Sequence, residues 1–272
     1  MTETVQEIQK DGDLSRRIRV SQETGKDEFY QLAGTFDGML ESLDQAFRRE
    51  RQFTSDVSHE LRTPVSVILA QCEVSLNRND LSDEQREEIL LIRKKAGEMS
   101  RMISQLLLLA RADQGRQQLN KEEINISELT EMIVEEQKML AQGRKIEIHT
   151  EIEQGITGYL DESFYIRMLD NLISNAVSYG KEGGNMKVTL HQIPFGVRGT
   201  VEDDGIGISR EDQAHIWERF YRVDASRTGK EDGSHSGLGL SMVKWIAQVH
   251  GGNVRVESEL GKGSCFTFEL KF

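Results

Sequence analysis

Residues Phe29–Val57 read FYQLAGTFDGMLESLDQAFRRERQFTSDV. Stepping through them by three and four residues picks out Phe29, Leu32, Phe36, Met39, Leu43, Ala46, Glu50, Phe53 and Val57. Every member except Glu50 is apolar, and this spacing predicts a heptad stripe along one long helix. Run from about Asp27 to Asn77, such a helix is ~75 Å long at the α-helical rise. One helix cannot bury its own stripe, so the pattern demands partner helices. Glu50 marks a register change or a weak point.

Working outward, Asn77-Arg78-Asn79-Asp80 is polar and breaks the helix. Ser82 and Gln85 have capping-box spacing. A second helix then carries Ile89, Ile92, Ala96, Met99, Ile103, Leu106 and Ala110 on one face and ends near Gly115. The expected unit is a long-helix hairpin whose stripe is wide enough for a dimeric four-helix bundle. From about Asn120 the pattern becomes α/β. Strand alternation appears at Lys145–Ile152, Lys187–Ile193, Val197–Asp203, Asn253–Ser258 and Cys265–Phe272. Helical periodicity appears at Ser127–Gln142, Asp161–Tyr179 and Leu238–His250, with Gly180 and Gly251 where C-caps are expected. Ser209 opens a short helix with Asp212, and the polar stretch from Arg222 to Gly237 reads as a long loop.

The 272 residues hold 34 Lys and Arg against 46 Asp and Glu, a net charge of −12. That balance argues against a nucleic-acid partner. Any anionic ligand must be held by local cations, a metal or backbone N–H groups. Cys72 and Cys265 fall in different segments and read as two unpaired thiols in a reducing compartment. No apolar run is long enough to span a bilayer, and no signal peptide is visible.

His59 lies in Ser58-His59-Glu60-Leu61-Arg62-Thr63-Pro64. It sits about 200° around the helix from Val57 and is expected to face solvent. An exposed imidazole is largely neutral at pH 7, which leaves a ring nitrogen free as a nucleophile. Glu60 is placed to take or orient the proton on the other nitrogen. Thr63, four residues on, shares the histidine's face. Pro64 withholds one backbone donor and is expected to kink the helix. An isolated His-Glu pair is equally a solvated helix face; the proline inside a heptad helix is what sets this one apart.

In the α/β half, Asn171 and Asn175 stand at i, i+4, and their neutral oxygens suit Mg²⁺ held mostly by phosphates and water. Two exposed asparagines with no such duty give the same pattern. Val201-Glu202-Asp203-Asp204-Gly205-Ile206-Gly207-Ile208 ends a strand in glycines that let backbone approach a ligand. A buried carboxylate there can accept a hydrogen bond from an exocyclic amine. Ser236-Gly237-Leu238-Gly239-Leu240 opens a helix whose N-terminal N–H groups suit a phosphate. Gly261-Lys262-Gly263-Ser264, read alone, is a hairpin turn rather than a site.

Taken in order, these segments resemble the sensor histidine kinases of two-component systems. Ser58–Pro64 is similar to the H-box, Asp170–Tyr179 to the N-box, and Asp203–Ile208 to the G1 box. Ile216–Asp224 is similar to the F-box, Gly237–Leu240 to the G2 box, and Gly261–Ser264 to the last glycine box. Gly12-Asp13-Leu14-Ser15 and Asp27-Glu28-Phe29 resemble the end of a HAMP linker. The resemblance implies three regions: a HAMP remnant and signalling helix at 1–48, a dimerisation and phosphotransfer domain at 49–116, and an ATP-binding α/β sandwich of Bergerat type at 120–272. It implies autophosphorylation of His59 from ATP and Mg²⁺, with Glu60 as general base and Thr63 positioning water for an opposing phosphatase reaction. By the same resemblance Asn175 and Asn171 hold the metal, Asp203 reads adenine, and Tyr179 borders the nucleotide. Gly205 and Gly207 shape that loop, Phe220 orders the lid, and Arg222 reaches the phosphates. Gly237, Leu238, Gly239 and Leu240 cradle the phosphate chain. Family members often place Lys before the N-box tyrosine; here it is Ser178, and Lys181 is the candidate substitute. The implied partners are a second copy of the chain and a response-regulator receiver domain. The implied location is the cytoplasmic side of a membrane receptor with its sensor upstream.

Overall fold

A computed structural model describes residues 27–78, 80–113, 117–223 and 236–272. The expectations for Gly12–Ser15, Asn79, Gly115 and the 224–235 part of the long loop lie outside the described residues. So do several side chains of the first helix, among them Phe29, Leu32, Glu50, Phe53 and His59. The chain divides into two compact units, Met1–Arg116 and Gln117–Phe272.

The first unit contains helices α1 (Asp27–Leu76) and α2 (Asp83–Asp113). Helix α1 runs through Pro64 as a single α-helix. The capping box forms as expected: the Ser82 amide donates to Gln85 Oε1 at 3.0 Å, and the Gln85 amide donates to Ser82 Oγ at 3.2 Å. Two of the N–H groups that open α2 are thereby satisfied. Val65 of α1 packs with Ala96, Ile103 and Leu107 of α2, and Leu69 flanks them. The expected α2 face thus meets α1 along only part of its width. Ala96, Ile103 and Ala110 are buried, whereas Ile92 and Met99 stand 51 % and 48 % exposed. These residues share one face within about 60° of arc at about 100° per residue, so one edge of that face seals the hairpin and the other edge is left outward. On α1, Leu40 is buried while Met39 and Leu43 of the heptad stripe are exposed.

The second unit is an α/β sandwich. Its five-stranded sheet has the order β2-β4-β5-β7-β6. These strands are β2 (Glu147–Ile152), β4 (Asn185–Ile193), β5 (Gly196–Asp203), β6 (Asn253–Glu259) and β7 (Gly263–Lys271). Only the β2–β4 pair is parallel. Two further strands, β1 (Glu122–Asn125) and β3 (Thr157–Leu160), pair antiparallel in a small separate sheet. Neither was expected, because four residues are too few for an alternation signal to stand out.

Alternation places Met186, Val188, Leu190, Val197, Val201, Phe266, Phe268 and Leu270 in the core. The other sheet face is polar: Lys187 pairs with Glu151 at 2.7 Å and Arg198 with Glu269 at 2.7 Å. Helices α3 (Ile126–Gln142), α4 (Glu162–Tyr179) and α6 (Gly239–Val249) complete the sandwich, with the short α5 (Asp212–His215) beyond β5. Phe164 of α4 meets Trp245 of α6 edge-on at 5.1 Å, and Tyr165 of α4 meets Phe268 of β7 at 6.3 Å. Such aromatic pairs add about 0.5–1.5 kcal/mol beyond area burial.

A polar relay fastens the helix ends. Asp161 caps α4, its Oδ1 accepting from the Phe164 amide at 3.1 Å, and its Oδ2 accepts from the Asn120 amide at 2.9 Å. The Asp161 amide donates to Nε2 of buried His250 at 3.1 Å, and His250 Nδ1 lies 2.8 Å from the Ile246 carbonyl. This arrangement requires the neutral ring, protonated on Nδ1. Burial, helped by the positive charge of Lys121, lowers the His250 pKa against the opposing pull of the Ile246 carbonyl and Asp161. The unfolded chain then takes up a proton that the folded chain resists, so stability falls as pH drops below about 6.5. His250→Gln keeps an acceptor and a donor without the titration. Wild type is expected to lose more stability than this variant between pH 7 and 5 in urea unfolding read by tryptophan fluorescence. Parallel losses would contradict the assignment. Both tryptophans, Trp217 and Trp245, lie in this unit, so the signal reports it selectively.

Candidate functional site

Helix α4 buries Phe164, Tyr165, Met168, Leu169, Leu172, Ile173, Ala176 and Val177. That apolar spacing leaves Asn171, Asn175 and Tyr179 on one half-exposed stripe. Asn171 donates through Nδ2 to the Arg167 carbonyl at 2.7 Å, which leaves its oxygen to face Gly239. A Cβ at Gly239 would come within 2.9 Å of that oxygen, so the opening of α6 approaches the asparagine stripe because residue 239 has no side chain. Among the described residues, no hydrogen bond ties the amide of Asn175, one turn further along.

Asp203 ends β5 on its inward face, 8 % exposed. Its Oδ1 accepts from the Gly205 amide at 2.9 Å. Burial pushes its pKa up to about 6, against the pull of the Gly205 amide and with a further push from Asp204. The loop that follows locks onto the end of α4: the Ile206 amide donates to the Tyr179 carbonyl at 3.2 Å. A Cβ on Gly205 would fall 2.7 Å from both Asp203 Oδ1 and the Gly180 backbone. Gly207 turns the chain with φ +67° against the backbone of Glu259 and Leu260, so its place is in the loop's packing. The Gly261 amide donates to the Ile206 carbonyl at 2.7 Å, so the 261–264 turn is a hairpin that also buttresses this loop.

The opening of α6 has no side-chain cap and no acidic residue in its first turn. Its fully buried Leu238 anchors it. The N–H groups there and the positive helix end suit an anion. Phe220 is 57 % exposed with φ +63°, and its amide donates to the Gly237 carbonyl at 3.0 Å. Arg222 is exposed, and its charge opposes the rise that burial imposes on the Tyr179 phenol. Thus Asn171, Tyr179, Asp203, Gly205, Phe220, Arg222, Gly237 and Gly239 are linked around one rim. Lys181 is exposed just beyond the end of α4, and its carbonyl accepts from the Gly184 amide at 3.0 Å. In the other unit, Glu60 and Thr63 are exposed on α1. No helix among the described residues is long and apolar enough to cross a membrane.

Sequence reasoning missed Arg144, which lies in the turn after α3. Its guanidinium donates to the carbonyls of Val177, Ser178 and Gly180 at the end of α4. A lone arginine distant in sequence carries no local signal of that contact.

A half-exposed asparagine stripe, a buried aspartate at a strand end and an uncapped glycine-flanked helix give the α/β unit a polar site suited to an anionic ligand. Residues 160–272 match the family described as histidine kinase-, DNA gyrase B-, and HSP90-like ATPase. Residues 49–115 match the His Kinase A (phospho-acceptor) domain, and residues 1–45 the HAMP domain. The chain belongs to the sensor histidine kinases of two-component systems. It is 36 % identical over 234 residues to sensor histidine kinase RppB of Synechocystis sp., spanning 85 % of this chain and 51 % of the relative. It is 32 % identical over 259 residues to sensor histidine kinase YclK of Bacillus subtilis, spanning 90 % and 53 %. The chain thus spans about half the length of these curated relatives. Among solved structures, full-length ShkA in complex with AMPPNP superposes with a TM-score of 0.69 at 28 % identity, covering 80 % of this chain and 45 % of that one. The catalytic domain of histidine kinase ThkA gives 0.50 at 26 % identity, covering 56 % and 96 %.

Proposed function

We propose that this chain phosphorylates its own His59 from ATP and passes the phosphoryl group to an aspartate of a response-regulator receiver domain. The observation that carries the reading is the convergence of Asn171, Tyr179, Asp203 and the uncapped start of α6 on one rim. Asp203 accepts a hydrogen bond from the adenine amine. Gly237–Leu240 offer backbone N–H groups to the phosphates, and Arg222 supplies positive charge beside them. Asn175 and Asn171 contribute neutral oxygens to Mg²⁺, which would neutralise phosphate charge. His59 attacks the γ-phosphorus through a ring nitrogen. A nitrogen–phosphorus bond forms, the bond from that phosphorus to the bridging oxygen breaks, and ADP departs. Glu60 takes the proton from the other ring nitrogen. Catalysis here is mainly positioning and charge neutralisation.

In this reading residues 1–48 are a HAMP remnant and signalling helix, 49–116 the dimerisation and phosphotransfer domain, and 120–272 the catalytic domain. The outward apolar residues Val67, Val74, Leu91 and Ile92 support a homodimer, because a second copy would bury them in a four-helix bundle. Thr63 positions water for the opposing phosphatase reaction. The receptor is membrane-anchored through a preceding sensor, and this chain is its cytoplasmic portion. Lys181→Ala is expected to weaken ATP binding about twofold to fivefold, the scale of one exposed charge contact; unchanged ATP affinity and autophosphorylation would remove Lys181 from the site. The whole reading is tested by incubating the chain with Mg²⁺ and γ-labelled ATP. Wild type should retain label, and Asn175→Ala or chelation of the metal should abolish it. Absence of label on wild type in the presence of Mg²⁺ would refute the proposal.

A further inference from the structure

Helix α4 ends without the devices that usually satisfy its last carbonyls. It has no basic residue in its last turn, and its C-cap, Gly180, has φ −59° rather than a left-handed conformation. Two carbonyls are met by backbone: Ala176 accepts from the Gly180 amide at 2.8 Å, and Tyr179 accepts from Ile206. The others turn to Arg144. Its Nη1 donates to the Val177 carbonyl and, at 2.6 Å, to the Ser178 carbonyl, while Nη2 donates to the Gly180 carbonyl at 3.0 Å. A positive group at a helix C-terminus also opposes the negative end of the dipole.

Arg144 is itself held. The Ile146 amide donates to the Ala141 carbonyl and the Lys145 amide to the Gln142 carbonyl, both at 3.0 Å, which is the Schellman pattern. Lys145 occupies the left-handed position with φ +55°, where glycine is the usual occupant. The Arg144 carbonyl accepts from the Gly183 amide at 3.0 Å, and the Gly184 carbonyl accepts from the Glu147 amide at 3.0 Å. The turn is therefore stitched to the chain on both sides of the guanidinium.

We infer that Arg144 is a positioning residue for the nucleotide site, fixing the end of α4 so that Tyr179 and the Asp203–Gly207 loop keep their mutual geometry. The inference rests on the ATP reading above. The chain of contacts is short. Arg144 holds the carbonyls on either side of Tyr179, Tyr179 holds Ile206, and Gly205 lies against Gly180 while donating to Asp203. Arginine suits the task because one planar fork reaches several carbonyls at once, whereas a lysine ammonium is a single point charge.

The test compares wild type, Arg144→Met and Arg144→Lys in the full chain, measuring autophosphorylation against ATP concentration and amide hydrogen exchange. Arg144→Met should raise the KM for ATP about tenfold, the scale of losing charge-assisted hydrogen bonds. The rate at saturating ATP should stay within about twofold, because the reacting groups are elsewhere. Arg144→Lys should recover part of the affinity. Exchange protection should fall at 203–207 while β6 and β7 remain protected. If Arg144→Met fails to fold, Arg144→Lys carries the test. A folded variant with wild-type KM overturns the inference, as does a loss that tracks the unfolded fraction with exchange rising equally across the sheet. Wild type that never acquires label is a failure of the kinase reading instead, and is distinguishable because it precedes any variant.

Discussion

Asp203→Asn is expected to lower ATP affinity about a hundredfold and, at the same time, to make the α/β unit more stable at pH 8. Both effects come from one buried carboxylate. Losing a charge-assisted hydrogen bond, with an amide donor now facing the donor amine of adenine, costs about 3 kcal/mol, which corresponds to that factor. The stability effect follows from linkage. The folded-state pKa of Asp203 is raised from 3.8 to about 6. Protonation of this group therefore favours the fold fully below pH 3.8, and that benefit disappears as pH rises through about 6. Above pH 6 the ionised carboxylate is a burden on the apo fold, which the neutral amide removes. A rise of this size corresponds to at most about 3 kcal/mol, and with relaxation about 1–2 kcal/mol is expected. Urea unfolding read by Trp217 and Trp245 fluorescence should show the variant's advantage at pH 8 and its shrinkage at pH 5. Equal stability at both pH values, or ATP affinity within a few fold of wild type, would contradict the role given to Asp203.

His59→Gln is expected to remove protein-bound phosphate to background while leaving ATP affinity within about twofold of wild type. The amide of glutamine is a poor nucleophile, whereas a neutral imidazole nitrogen carries an available lone pair. His59 belongs to the helical unit, and every residue proposed to hold the nucleotide belongs to the other unit. Binding and acceptance of phosphate should therefore separate cleanly. Side-by-side measurement of nucleotide affinity and label retention checks this. Label on the variant at wild-type level would place the acceptor elsewhere. ATP hydrolysis at an unchanged rate in the variant, with no label on wild type, would make the chain a plain ATPase. Mixing His59→Gln with Asn175→Ala chains then distinguishes transfer between protomers, where label appears, from transfer within one, where it does not.

Much of the architecture was legible because long periodic elements repeat their signal. The α1 stripe, the Ser82–Gln85 capping box and the alternation of β4, β5 and β7 each announce themselves over several residues or through a reciprocal motif. The hairpin's inner face was less legible. Helix α2 presents one broad apolar face, and the sequence does not say which edge of it, that of Ala96 and Ile103 or that of Ile92 and Met99, meets α1. β1 and β3 were missed because each is four residues long.

In the site, Asn171, Asp203 and the 237–240 segment were readable because their residue types are unusual for their element. Their meeting was not, since it depends on glycines 205 and 239 that permit close approach in three dimensions. Arg144 and His250 were invisible for the same reason: an arginine in a turn and a histidine at a helix end are ordinary in sequence. Only the fold shows that they hold the ends of α4.

The most direct test is chemical. Wild-type chain labelled with γ-phosphate in the presence of Mg²⁺ is split and held in acid and in base. A phosphorus bound to imidazole nitrogen should be released by acid and survive base, and proteolytic mapping should place it on the segment containing His59. Label that survives acid, as an ester of serine or threonine would, contradicts phosphoryl transfer to this histidine.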